Sequence, residues 1–114
     1  MVERPDYKID ISVDPNGDTT VRPSRKKLKS GDRVHWVSED GPFAIEFINQ
    51  TPGEEMGASG HNFDGEKWVT EPLEIRSDAC GRFQYAFAVS LPARDGERFG
   101  RIALDAGCPE IIVD

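Results

Sequence analysis

The feature that most constrains the fold is residues 83–90, where large apolar side chains alternate with small or polar ones. One face carries Phe83, Tyr85, Phe87 and Val89, and the other carries Gln84, Ala86, Ala88 and Ser90. A period of two is typical of a β-strand with one face in a core. Small residues on the second face predict that another segment approaches it closely.

Shorter alternating runs recur along the chain and are separated by turn signals. We predict strands at residues 7–13, 19–22, 34–37, 43–47, 68–70, 73–75, 101–104 and 110–113. Asn16-Gly17 and residues 39–42 are typical turns. Because no segment has a helical period, residues 1–114 are expected to form one all-β domain. The expected architecture is an antiparallel Greek-key β-sandwich of seven or eight strands, with Trp36, Phe43, Phe83, Tyr85 and Phe87 in one core cluster.

The charge and the cysteine count exclude several classes of function. A net charge of −7 argues against nucleic acid as a partner and disfavours anionic membranes. No apolar run reaches the roughly 20 residues needed to cross a bilayer, so no membrane insertion is expected. Only two cysteines, and a start without a signal-like pattern, indicate the cytoplasm if Met1 is the native start.

Two stretches resemble the cupredoxins, the blue-copper β-sandwich family. Residues 31–36 (Gly-Asp-Arg-Val-His-Trp) and 42–47 (Pro-Phe-Ala-Ile-Glu-Phe) are similar to one family motif. Residues 81–87 (Gly-Arg-Phe-Gln-Tyr-Ala-Phe) are similar to a second, in the same order and with a similar separation. The resemblance implies the same fold.

The ligands of a copper site are missing from these motifs. Such a site needs two histidines, a thiolate and usually a weak axial sulfur. Phe43 stands where the family has its first histidine, and Phe87 where it has the cysteine. No histidine follows His61, and residues 90–101 hold no methionine. The resemblance therefore implies a copper-free domain with no cofactor, in which the two rings fill the vacated site.

No other residues form a persuasive metal or catalytic pattern. His35, His61, Cys80 and Cys108 lack metal-ligand spacing, so we expect structural or solvated histidines and reduced, buried or half-buried thiols. The serines lie in no nucleophile elbow, and the carboxylates are expected at the surface. These observations favour a chain that is not an enzyme.

Binding to another protein, as an adaptor or accessory module, is the function that remains. One alternative is a small-ligand or carbohydrate-binding module using the polar loop that begins at Asn49 and ends at Gly65. In that loop Met56 and Phe63 either pin the segment to the body or form exposed contacts. The other alternative is a metal-dependent redox protein with an unorthodox site.

Two surfaces compete as the partner site. In the resembling family the first and third strands run the same way, which brings residues 14–18, 38–43 and 91–98 to one end. The predicted contact residues there are Glu39, Asp40, Pro42, Leu91, Pro92, Arg94 and Arg98. The competing surface is the basic run of residues 22–29, which we interpret instead as a solvated sheet edge protected by lysines.

Overall fold

The computed structural model describes residues 6–104 and 107–114 of the chain. These residues form twelve strands and no helix. The strands are β1 (Asp6–Val13), β2 (Thr19–Arg22), β3 (Arg25–Leu28), β4 (Arg33–Ser38), β5 (Phe43–Phe47), β6 (Gly57–Gly60), β7 (Asn62–Phe63), β8 (Trp68–Val69), β9 (Leu73–Glu74), β10 (Gly81–Leu91), β11 (Arg101–Leu104) and β12 (Glu110–Val113). The described residues therefore contain no helix long and apolar enough to cross a membrane.

The strands pair into two sheets that pack as a sandwich, which confirms the predicted all-β class. The first sheet has the order β2-β1-β4-β8-β7, with β9 also paired to β4. The second has the order β3-β12-β10-β5-β6, with β11 also paired to β10. Both sheets are mixed rather than purely antiparallel, because β1 runs parallel to β4 and β3 runs parallel to β12. Short pairing segments raise the strand number above the seven or eight expected.

The core lies between the sheets and contains the predicted aromatic cluster. Trp36 of the first sheet is fully buried, with its ring centroid 5.5 Å from that of Tyr85 and 6.2 Å from that of Phe47, both in the second sheet. These rings meet edge to face, which is the preferred geometry of aromatic pairs. Phe43, Phe83 and Phe87 belong to the same buried cluster. The alternation in β4, β5 and β10 therefore defines the inner faces of both sheets.

The segment from Asn49 to Gly65 differs from the long loop that was expected. It contains β6 and β7, and β6 pairs along β5 from Glu46 to Phe43. The segment is anchored by Thr51, Pro52 and Gly53, which are buried. Met56 and Phe63 are exposed instead of pinning it to the body. An edge strand of the second sheet thus lies in the segment that was predicted to be a polar loop.

The basic run and the cysteines lie at the surface. β3 is an edge strand of the second sheet, as predicted for a lysine-protected edge. Arg25 Nε donates to Glu110 Oε1 at 2.8 Å, and Lys26 Nζ lies 4.2 Å from the Tyr7 ring centroid. Cys80 and Cys108 are exposed thiols, so the expectation of buried or half-buried thiols is wrong. Cys80 and Cys108 each lie just before a strand, so the apolar alternation of the strand does not predict whether their side chains point inward.

Candidate partner-binding end

Three turns meet at one end of the sandwich because of the strand directions. The parallel pairing of β1 with β4 sets Ile11 beside Ser38, so both strands deliver their following turns to this end. The antiparallel pairing of β10 with β5 sets Val89 beside Phe43, so β10 also leaves here. We call this region, formed by residues 13–18, 38–42 and 91–101, the loop end.

Hydrogen bonds tie these turns together. Asp40 Oδ2 accepts from the backbone N–H of Val13 at 2.8 Å, which links the turn after β4 to the end of β1. The backbone N–H of Ser90 donates to the carbonyl of Pro42 at 2.8 Å. Between them, Gly41 packs where a Cβ would collide with the carbonyl oxygen of Ser90. The base of the loop end is therefore held by a side-chain hydrogen bond, a main-chain hydrogen bond and close backbone packing within the chain.

A shallow groove of about 670 Å³ crosses the loop end. Four of the predicted contact residues line it: Asp40, Leu91, Pro92 and Arg94. The other three belong to the loop end but do not line the groove. Glu39 pairs with Lys67, with 3.6 Å between Oε1 and Nζ, and Pro42 is half-buried. The Arg98 guanidinium lies 6.0 Å from the Phe99 ring centroid.

Arg101 also lines this groove, and the sequence reasoning missed it. It is the first residue of β11 and half-buried. Its Nε is buried and makes no hydrogen bond within residues 6–104 and 107–114. Its ion-pair partner is Glu97, whose Oε2 lies 3.9 Å from the Arg101 Nε. The signal available in the sequence was a basic residue immediately after the loop that follows β10.

The carboxylates of the groove, in contrast, already have backbone donors. Asp14 Oδ1 accepts from the N–H groups of Asn16 at 2.8 Å and of Asp18 at 3.0 Å, which closes the β1–β2 turn. Asp40 accepts from Val13, as described above. Arg94 Nη2 donates to the Pro15 carbonyl at 3.1 Å, which uses one of the five N–H donors of its guanidinium. The groove lining is formally neutral, with two carboxylates that accept backbone N–H groups and two guanidinium groups that keep unused N–H donors.

The positions that correspond to copper ligands in the resembling family hold aromatic rings. Phe43 and Phe87 are buried on neighbouring strands, where Phe87 pairs with Ile45 and Phe43 pairs with Val89. Inward residues offset by two positions on adjacent strands are diagonal neighbours. Gly60 makes room for the Phe43 ring, which lies where its Cβ would be. Neither ring can donate a lone pair to a metal, so these residues do not fit a blue-copper site.

The histidines are engaged away from these rings. His35 Nδ1 lies 2.9 Å from Asp6 Oδ1, on the face of β4 opposite Trp36. His61 Nδ1 lies 3.0 Å from Ser59 Oγ at an exposed position. In the portion of the chain that the structure describes, no three His, Cys, Asp or Glu side chains cluster as metal ligands would.

Comparisons with known proteins find only distant structural similarities. No protein-family model matches the chain, and no curated protein matches it. It is similar to a purple cupredoxin from Nitrosopumilus maritimus, with 17% identity over 95% of this chain and 99% of that one, and a TM-score of 0.43. It is also similar to a cysteine protease inhibitor from Entamoeba histolytica, with 9% identity over 96% and 97% and the same TM-score. The described residues of this chain form an all-β sandwich of two mixed sheets.

Proposed function

We propose that this chain is a non-catalytic, copper-independent interaction domain whose protein partner docks at the loop end. The observation that supports it is the groove, where Arg101 holds a buried N–H without a hydrogen-bond acceptor among the described residues. A buried donor left without an acceptor costs about 1–3 kcal/mol. A partner whose acceptor draws the Arg101 side chain out of this position recovers this free energy, which makes Arg101 a natural contact.

The chemistry of the groove defines the partner's side of the contact. Leu91 and Pro92 give it a small apolar centre, and Arg94 and Arg101 provide guanidinium groups. Interfaces of this kind combine an apolar centre with a polar rim and are enriched in arginine. We infer that the partner inserts an Asp or Glu side chain, which an arginine can bind through two parallel hydrogen bonds.

The copper-independent part of the proposal rests on Phe43 and Phe87. Both rings are buried in the cluster that holds the sheets together. Replacing a metal-ligating histidine and cysteine by phenylalanine converts a cofactor site into packing. The scaffold that remains is rigid, and loops on rigid scaffolds are common binding surfaces.

A paired charge reversal tests the docking site. Arg94→Glu combined with Arg101→Glu is expected to weaken capture of the native partner at least tenfold, because it replaces both cations with anions facing the partner's carboxylate. Lys26→Glu combined with Lys27→Glu changes the net charge by the same amount on β3 and should leave capture unchanged. The measurement is the partner's dissociation constant, after capture from the native host and purification.

Three results of this experiment contradict the docking site. Loss of binding in the β3 variant alone indicates that the partner docks at the basic run of residues 22–29. Equal loss in both variants indicates a general charge effect. Unchanged binding in both variants removes both surfaces. Arg101 is half-buried, so the unfolding midpoint of the groove variant is measured beside wild type, and Arg94→Glu alone serves if the double variant is destabilised.

A carbohydrate-binding module is the second candidate, and one contact favours it. The exposed ring of Phe63 lies 4.7 Å, between centroids, from that of Trp68. Exposed aromatic pairs can stack on apolar faces of ligands. The rings are tilted by 53° and form no flat platform. Quenching of tryptophan fluorescence by a soluble oligosaccharide, abolished by Phe63→Ala, would favour this candidate over the interaction domain.

A further inference from the structure

The outer face of the second sheet carries an apolar groove formed by β6, β5, β10 and β11. Its volume is about 560 Å³. Its floor consists of small residues and Glu46 on the outward side of these strands, and its walls are Met56 and Leu104. We call this surface the alanine face; its floor residues are Gly57, Ser59, Ala44, Glu46, Ala86 and Ala88.

Strand register makes the floor continuous from wall to wall. Ser59 lies opposite Ala44, Ala44 opposite Ala88, and Ala88 opposite Leu104. Residues directly opposite on paired strands lie on the same face. One row of side chains thus crosses four strands and rises from small residues to a leucine that is 69% exposed. Met56 forms the wall opposite Leu104, just before β6. Its carbonyl accepts from the N–H of Phe47 at 2.7 Å, which holds this segment beside β5.

The alternation of β10 predicted a segment packed on this face, and no described segment covers it. Ala44 and Ala86 remain exposed within residues 6–104 and 107–114, and Met56 is 42% exposed. The outward face of β10 is polar at its other end, where Arg82 and Gln84 point to solvent. The apolar character is therefore confined to the groove.

The shape of the groove fits one α-helix. Four strands span about 14 Å between the axes of the outer two. A helix with its side chains is about 10–12 Å across, so it fits between the walls. Alanine and glycine on the floor allow its backbone to approach closely, and Met56 is flexible enough to adapt to its side chains.

The charge of the groove selects a basic partner over a second copy of the chain. Glu46 is the one charged residue among the described residues that line the groove, and it lies between Gly57 and Ala86 on the floor. In a two-fold dimer through this face, Glu46 would approach its own copy, and both molecules carry a net charge of −7. A Lys or Arg on a partner helix neutralises Glu46 instead.

We propose that the alanine face binds one amphipathic helix of a partner protein, with its apolar stripe between Met56 and Leu104 and a basic residue beside Glu46. This is the helix-in-groove mode of recognition, read through apolar residues at helical spacing. The surface is separate from the loop end and does not depend on it.

The test uses a designed peptide as the probe. It has about 18 residues of Leu, Ala and Lys, with an apolar stripe at helical spacing and one Lys in the middle of that stripe; a twin peptide has Glu at the central position. The Lys peptide is expected to bind the full chain saturably, with NMR shift changes at Ala44, Ala86, Ala88 and Leu104. Ala86→Arg should weaken this binding at least tenfold because it fills the floor.

Two variants control for charge and for strand position. Gln84→Arg places the same side chain on the same strand and face but outside the groove, so it should leave the affinity unchanged. Glu46→Lys should reverse the preference between the two peptides. The proposal is overturned by the absence of saturable binding, by equal effects of Ala86→Arg and Gln84→Arg, or by a preference that Glu46→Lys does not change. Sedimentation showing a dimer that Ala86→Arg dissociates would assign the face to a second copy.

Discussion

At the scale of single residues, the same side chain has different roles according to its position on a strand or loop. Phe87 points inward from β10 and is 4% exposed, whereas Phe99 lies in the loop before β11 and is 75% exposed. Phe87→Ala is expected to lower the free energy of unfolding by about 3–5 kcal/mol, because it removes a buried ring and leaves a cavity. Phe99→Ala should change it by no more than about 0.5 kcal/mol. Chemical denaturation measures both, and similar values for the two variants would contradict the inward placement of Phe87.

The loop end was predicted from the sequence only in part, for reasons that act on individual side chains. Asp40, Leu91, Pro92 and Arg94 lie in the groove, at the end of the sandwich that the strand directions of the resembling family implied. Glu39, Pro42 and Arg98 lie at the same end but outside the groove, because in a turn or loop no period fixes where a side chain points. Arg101 was missed because a residue that begins a strand is easily assigned to the strand alone. Its part in the groove depends on the position of β11 beside β10, which requires the tertiary structure.

At the scale of elements, the strands with alternating apolar residues were predicted, whereas β6 and β7 were expected to be part of a loop. β10 and β5 were found because every second residue is large and apolar. β6 has the sequence Gly-Ala-Ser-Gly, which has low strand propensity and no apolar period. It is a strand because β5 offers a hydrogen-bonding edge and because Gly60 admits the ring of Phe43. Tertiary context overrides propensity there.

The turn between β7 and β8 supplies a prediction about pH. Asp64 Oδ1 accepts from the backbone N–H groups of Lys67 at 2.7 Å and of Glu66 at 2.9 Å. These two bonds, the Lys67 bond first, lower the pKa of the Asp64 carboxyl. A carboxyl whose pKa is lower in the folded state stabilises the fold above its unfolded-state pKa. That contribution is lost as the pH falls through the folded-state pKa.

NMR titration of the Asp64 carboxyl carbon checks this expectation. The midpoint should lie at lower pH in the folded protein than in the chain unfolded in denaturant. Asp64→Asn keeps an oxygen acceptor for the turn but does not ionise, so it should remove this part of the pH dependence of stability. Equal midpoints in the folded and unfolded chain would show that the backbone bonds do not favour the ionised form.

At the scale of the whole molecule, one scaffold presents three chemically different surfaces. The sandwich measures 52 Å along its longest axis. The loop end carries the groove with Arg94 and Arg101, and the outer side of the second sheet carries the alanine face. The third surface is the basic run on β3. The sheets that support them are joined by aromatic packing rather than by a metal or a disulfide among the described residues. The exposed side chains of each surface lie outside the buried cluster, so each surface can be altered without removing the core.

Copper addition tests whether the whole fold is independent of metal. With Phe43 and Phe87 in the core, Cu(II) has no thiolate and imidazole pair to bind between the sheets, so we expect no intense visible absorption band. The unfolding midpoint should also stay unchanged. A bound ligand would raise it, because at 100 times its dissociation constant it stabilises the fold by about 2.7 kcal/mol. The exposed thiols of Cys80 and Cys108 can react with copper, so Cys80→Ser combined with Cys108→Ser is measured in parallel. An intense band that requires the folded wild-type chain, or a raised midpoint that persists in the double variant, would contradict the copper-independent function and support the redox alternative.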